Sequence, residues 1–173
     1  IIKNIKMIDI LFPKLHKEGY RFLAIAGIAT FILLLISNFL GLVGFILTIW
    51  VYYFFRDPER FSINDENYLI SPADGVISQI IHTHGPSELG LEKKKFTRIS
   101  IFMNVFDCHV NRVPLSGKIK QVFYKSGKYL NASLDKASEE NERNYVKIAN
   151  NNNEDIVLVQ IAGLIARRIV CEI

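Results

Sequence analysis

The chain has 173 residues, half of them hydrophobic, with mean hydropathy +0.20 and a formal net charge of +4. That length carries one core-forming domain and is too short for two ordinary domains plus a membrane segment, while the composition excludes intrinsic disorder and collagen-like chains. Two cysteines, Cys108 and Cys171, exclude a disulfide-dense secreted scaffold, and their spacing gives no zinc ribbon. Residues 1–60 hold seven Lys or Arg against four Asp or Glu, so most of the net charge lies near the chain's most apolar stretch. An anionic membrane surface suits that pattern better than a nucleic-acid groove.

Residues 1–20 form a basic leader, with Ile1, Ile5, Ile8, Phe12 and Leu15 near helical spacing and Pro13 interrupting them. A short interfacial helix is expected there. From Phe22 to Phe55 there are 34 residues without a charge. One upright helix needs about 20 apolar residues, so this run is too long for one and slightly short for two. Ser37, Asn38, Gly41 and Gly44 are turn and breaker signals. They divide the run into two arms, Phe22–Ile36 and Leu42–Phe55, of a tight helical hairpin that is thin-spanning or re-entrant. Lys14, Lys17 and Arg21 precede it and Arg56 and Arg60 follow it, which places both ends in the cytoplasm. Trp50, Tyr52 and Tyr53 cluster at the second exit, at headgroup level. A signal peptide fits poorly, because the run is too long and no small-residue cleavage site follows. The organisation expected is a leader (1–20), a membrane hairpin (21–56) and a cytosolic β-rich domain (57–173).

Beyond Arg60 the periodicity becomes alternating. Strands are expected at Tyr68–Ile70, Val76–Ile81, 98–105, Gly117–Lys125, Asp155–Ala162 and Ala166–Glu172, with Asn150–Asn153 a solvated loop. Ser71-Pro72-Ala73-Asp74-Gly75 reads as a turn. Ser133–Asn144 is the one helix expected in this part, with Ser133 as its cap. The fold class is therefore α+β: a hydrophobic helical hairpin followed by a sandwich or partial barrel with one short helix.

Several residues are candidates for chemistry. His82 and His84 share a strand face, but they border Gly85-Pro86 and no acidic or Cys/His cluster completes a metal site, so none is assigned. Asp107, His109 and Arg112 place an acid, a titratable base and a fixed cation within six residues. On composition alone a structural His109 is as good a reading as a catalytic one. Asp74, before Gly75, is first of all a turn residue.

Five strings occur in order: Tyr53-Phe54-Phe55-Arg56-Asp57-Pro58-Glu59-Arg60; Ser71-Pro72-Ala73-Asp74-Gly75; Asp107-Cys108-His109-Val110-Asn111-Arg112-Val113-Pro114; Asn131-Ala132-Ser133 with Asn141-Glu142-Arg143; and Gln160-Ile161-Ala162-Gly163-Leu164-Ile165-Ala166-Arg167-Arg168-Ile169. Together they resemble the phosphatidylserine decarboxylase family in its short bacterial form. The resemblance implies a proenzyme that cuts itself at a Gly-Ser bond. The serine becomes a pyruvoyl group on a small α chain, and a larger β chain keeps the hairpin. The pyruvoyl ketone serves as electron sink for decarboxylating phosphatidylserine to phosphatidylethanolamine in phospholipid biosynthesis. The resemblance implies that Asp74 acts in self-cleavage and His109 in decarboxylation. Longer members carry a second His where this chain has Arg112, so either His109 serves both steps or Arg112 orients the cleavage site. Arg112 and Arg143 are candidate contacts for the lipid phosphate, with a structural ion pair as the alternative for each.

The partners implied are the pyruvoyl-bearing α chain, phosphatidylserine and an anionic membrane, with a homodimer left open and nucleic acid excluded. The location implied is the bacterial inner membrane, catalytic domain toward the cytoplasm. The chain starts at Ile1 and stops at Ile173 in an apolar run, and it contains no Gly-Ser dipeptide, so the pyruvoyl serine is expected outside it. The expectation is a fragment that is inactive by itself. Two other readings compete. One is a membrane-anchored β-domain module without catalysis. The other is a phosphocarrier-like domain phosphorylated at His109, which the lipid-side anchor and the lack of a second nearby His disfavour.

Overall fold

The computed structural model describes residues 11–63, 65, 67–131 and 137–173. Two apolar helices come first, α1 (Gly19–Ile36) and α2 (Asn38–Phe54). They are followed by β1 (Val76–His84), a 3₁₀ turn (Ser87–Leu89), β2 (Lys95–Phe102), β3 (Lys118–Lys125), the single turn α3 (Ala137–Glu140), β4 (Arg143–Ala149) and β5 (Asp155–Ile161). The class is α+β, as the sequence implies, and the strands form two open antiparallel sheets. The chain divides into two compact units. One holds the helix pair with residues 70–75 and 103–112, and the other holds both sheets.

In the first unit the helices turn on a single residue. Ser37 is extended, its Oγ accepts from the Phe39 amide at 3.3 Å, and its own amide donates to the Leu33 carbonyl at 3.0 Å. One side chain therefore caps α2 while its backbone closes α1. Gly41 and Gly44, expected in the turn, lie inside α2 and let the helices approach. A Cβ on Gly41 would sit 3.0 Å from the Leu34 Cα, and one on Gly44 3.1 Å from the Thr30 Cα. Small residues at such a seam permit close helix packing. Thr48 donates to the Gly44 carbonyl at 3.0 Å, which leaves Thr30 to donate to Thr48 at 2.8 Å, so both hydroxyls are satisfied inside the pair. The outer faces carry exposed apolar residues such as Ile25, Phe31, Leu35, Phe39 and Phe45. α1, with 18 residues, is long and apolar enough to cross a membrane; α2 is one residue shorter.

An extended strap returns along the end of α2. His16 donates to the Phe55 carbonyl at 2.9 Å, Asp57 donates to the Lys14 carbonyl at 2.6 Å, and the Tyr52 and Tyr53 hydroxyls donate to the Pro13 and Leu11 carbonyls. The leader helix expected over residues 1–20 falls largely outside the described residues, and from Phe12 to His16 the chain is not helical.

In the second unit β1 and β2 form a hairpin-like pair, and β3, β4 and β5 form a three-stranded sheet with β4 central. A bulge interrupts the register after Ile77 and another after Ile119. Tyr145, Val146, Ile148 and Ala149 of β4 are buried, and Tyr145 packs with Leu89, Leu91, Phe96 and Val157. Glu88 accepts from Lys125 Nζ at 2.8 Å and from the Tyr145 hydroxyl at 3.2 Å, and the Lys125 bond holds its carboxyl down at about 2.

Three local expectations are corrected. The helix expected over Ser133–Asn144 is, among the described residues, only Ala137–Glu140, with 133–136 outside them. Arg143 and Asn144 already belong to β4, because the buried Asn141 ends the turn by bonding to the Leu130 amide and carbonyl and to the Ala162 carbonyl. Tyr68–Ile70 and Ala166–Glu172 form no ladder. The second of these turns instead through Gly163 N to the Ala166 carbonyl and Arg167 N to the Ile165 carbonyl.

Candidate active site

The segment Arg56–Arg60, directly after α2, organises the loops of the first unit. Arg56 Nη2 donates to the Phe106 carbonyl at 2.9 Å, and the Arg56 carbonyl accepts the Sγ–H of buried Cys108 at 3.3 Å. Asp57 pairs with Arg112, which also donates to the Pro58 carbonyl at 2.8 Å. Arg60 pairs with Asp74. The Arg112 amide donates to the Pro72 carbonyl at 2.8 Å, so the loop of Asp74 is tied directly to the loop of His109 and Arg112. Charge pairing thus fixes three chain segments that are far apart in sequence.

Asp74 sits in a turn whose shape its neighbours dictate. Ser71 Oγ bonds to the Ala73 carbonyl at 2.8 Å, and Gly75 has φ 148°, a conformation that strongly favours glycine. Arg60 holds Asp74 at Oδ2, and Oδ1 has no hydrogen-bond partner among the described residues.

His109 is half-buried. Its ring stacks on Phe54 of α2, with centroids 4.2 Å apart and planes 24° from parallel. Its Nδ1 lies 3.1 Å from the Asp107 carbonyl. A carbonyl only accepts, so Nδ1 carries the hydrogen and, in the neutral ring, Nε2 carries the lone pair. The Asp107 carboxylate is turned the other way, accepting from the Asn104 amide at 2.8 Å. Burial lowers the pKa of His109 from 6.5, and the charge of Arg56 adds to this. The Asp107 carbonyl and carboxylate charge act in the opposite sense. The result is an imidazole that is predominantly neutral at pH 7.

Asp74, His109 and Arg112 therefore share one unit, while Arg143 lies in the other. There Arg143 donates from Nη2 to the Glu139 carbonyl and from Nε to the Asn141 carbonyl at 3.3 Å, and its guanidinium lies 5.9 Å over the Tyr145 ring. The residues to which sequence reasoning gave no role in the site are Arg56, Asp57 and Arg60, read there as flanking charge and as part of a family string. Their signal was present: an Arg-Asp-x-x-Arg cluster immediately after a hydrophobic helix places charges at the one level where they meet water.

Comparison with known proteins adds an independent line. A phosphatidylserine decarboxylase family profile matches residues 47–173. The chain is 69% identical over 166 residues to the phosphatidylserine decarboxylase proenzyme of Pelagibacter ubique (strain HTCC1062), covering 96% of this chain and 77% of that protein. It is 51% identical over 166 residues to the proenzyme of the same name from Ruegeria pomeroyi (strain ATCC 700808 / DSM 15171 / DSS-3), covering 96% and 76%. A third relative with that name, from Rickettsia typhi (strain ATCC VR-144 / Wilmington), is 49% identical over 168 residues, covering 97% and 73%.

Proposed function

Because the chain belongs to the phosphatidylserine decarboxylase family, the enzymes that convert phosphatidylserine to phosphatidylethanolamine, we propose that its first unit supplies the acid–base residues of that reaction at a membrane surface. The observation that carries this reading is His109: a half-buried, neutral imidazole, its Nε2 without a hydrogen-bond partner among the described residues, stacked on the last turn of an apolar helix.

The family's pyruvoyl group fits these residues as neighbours rather than as carriers. Asp74, His109 and Arg112 can move protons or orient charge, none of them is a covalent anchor for a ketone, and no Gly-Ser dipeptide occurs in the chain. When present, the group supplies a carbonyl that takes up the electron pair released as CO₂ departs. We assign the serine that gives rise to it, and the α chain bearing it, to residues outside these 173.

His109 Nε2 accepts a proton at neutral pH and can return it to carbon after decarboxylation, while the Asp107 carbonyl keeps the ring in that tautomer. In this reading Asp74 Oδ1, without a hydrogen-bond partner among the described residues, takes the proton of the hydroxyl that attacks the chain at self-cleavage, while Arg60 holds Oδ2. Arg112 stands where longer relatives have a second His, and its pairing with Asp57 suits it to orienting the cleavage site. A phosphate on Arg112 would compete with Asp57, and one on Arg143 with the Glu139 carbonyl. α1 and α2 insert into the bilayer so that the site meets a headgroup whose acyl chains stay in the membrane. The basic residues at the open end of the hairpin support a cytoplasmic position for that end by the positive-inside rule.

The test is a pair of variants in the proenzyme. Asp74→Asn should stop appearance of the cleaved chains on a gel. His109→Ala should cut CO₂ release from phosphatidylserine by about 10²–10⁴-fold, the usual contribution of a general acid–base. Turnover of the His109 variant at the parent rate would make His109 structural and remove the reading.

A further inference from the structure

The outer face of α2 carries a feature that the proton chemistry does not use. Ile46, Ile49, Trp50, Tyr53 and Phe54 line one wall of an open groove of about 460 Å³, Val105 and Phe106 line the other, and Arg56 stands in it beside them. The walls are almost wholly apolar, and the groove is continuous with the exposed apolar surface of α2, where Ile46, Leu47 and Ile49 are open. Phe106 is 71% exposed and extends that contiguous apolar patch, the kind of surface that marks an interaction site.

Arg56 differs from its neighbours. Arg60 and Arg112 each pair with a carboxylate. Among the described residues Arg56 has none: its guanidinium donates only to the Tyr53 and Phe106 carbonyls, at 2.6 and 2.9 Å, and leans toward the Tyr53 ring. Those two bonds use two of its five N–H groups. A fixed cation with N–H groups to spare, joined to an apolar trough at the end of an apolar helix, matches a molecule with an anionic head and a hydrocarbon tail.

We propose that this groove binds one acyl chain of an anionic phospholipid and that Arg56 contacts its phosphate. The site rests on the reading that the helix pair enters the bilayer, because only there does a diacyl lipid reach the groove from the side. Phosphatidylcholine presents the same tail and phosphate but its quaternary ammonium cancels the phosphate charge, whereas phosphatidylserine carries a carboxylate besides its ammonium and stays net negative toward Arg56. The site therefore distinguishes headgroups by net charge.

Trp50 is the one tryptophan in the chain and lies in the groove wall, so its fluorescence reports on the occupant. The protein is reconstituted in phosphatidylcholine vesicles containing a minor fraction of lipid brominated on the acyl chain, with either a phosphatidylserine or a phosphatidylcholine headgroup. Brominated phosphatidylserine should quench Trp50 as if enriched about fivefold around it, the order expected for one interfacial arginine. Arg56→Gln should abolish that preference while overall quenching remains, and Arg56→Lys should restore part of it. Circular dichroism of each variant establishes that the helices persist. Equal quenching by the two lipids overturns the groove and leaves bilayer insertion standing. A preference that survives in Arg56→Gln overturns it too, since Lys14, Lys17, Arg21 and Arg60 would then be attracting the lipid non-specifically. Absence of quenching by either lipid overturns the insertion reading, and the groove with it.

Discussion

His109 shows what a short motif reveals and what it hides. Asp107, His109 and Arg112 are close in sequence, and that spacing invites a carboxylate–imidazole dyad. In the structure the Asp107 carboxylate closes its own loop through the Asn104 amide, and the backbone carbonyl of Asp107 positions the ring. The ring's other support, Phe54, is 55 residues earlier, beyond the reach of local spacing. The same holds for Arg60 on Asp74 and Asp57 on Arg112: each residue was visible, but its partner depends on tertiary folding. The buried setting of His109 has a thermodynamic consequence with a definite sign. Its folded pKa lies below 6.5, the ordinary value the unfolded chain keeps. Well above pH 6.5 both states hold a neutral ring and the group adds no pH dependence. As pH falls below 6.5 the unfolded chain takes up a proton that the folded chain resists, so stability falls until the folded pKa is passed. Urea midpoints measured from pH 7.5 down to 5 should therefore drop less for His109→Gln than for the parent. Parallel curves would show that burial does not act on this imidazole.

At the level of elements, the hairpin was legible because a charge-free run of 34 residues admits few readings, and hydrophobicity alone sets its extent. Its turn was legible at Ser37, where the first arm ends, but the extent of that turn was not. Glycine marks turns in water, but between two apolar helices it marks the seam, and Gly41 and Gly44 serve the seam. β4 was missed for a related reason. The charged run ending at Glu140 carries a helical pattern, and nothing local shows that the Asn141 side chain stops it by satisfying three backbone groups from elsewhere in the fold. The glycine assignment makes a paired prediction. A Cβ on Gly41 meets the Leu34 backbone, whereas one on Gly27 finds nothing within 4 Å. Gly41→Val should lower hairpin stability in detergent by about 1–3 kcal/mol, the usual cost of overpacking. Gly27→Ala should leave it unchanged or raise it by up to about 1 kcal/mol through helix propensity. Equal responses at the two sites would mean that the helices do not pack through Gly41.

For the whole molecule the governing asymmetry is electrostatic. Ser37, the turn between the helices, and the residues beside it carry no charge, while Lys14, Lys17, Arg21, Arg56 and Arg60 gather around the opposite end of the hairpin. Moving a cation through the hydrocarbon layer costs several kcal/mol, so on the proposed insertion of the helix pair the turn enters first and the basic end stays behind. In that proposed arrangement an even number of passes, or a re-entrant loop, would leave everything after Arg60 on the side where Lys14 began. The two cysteines make this testable with little engineering. Cys108 is buried with its Sγ on the Arg56 carbonyl, whereas Cys171 is exposed. A membrane-impermeant maleimide should label Cys171 in inside-out vesicles and leave it unmodified in right-side-out spheroplasts. Cys171→Ser should remove the signal, because Cys108 is shielded in the folded chain. Labelling of Cys171 from the outer face would reverse the orientation and separate the site from a cytoplasmic supply of phosphatidylserine. Labelling confined to the inner face would fix which leaflet presents the headgroup to His109.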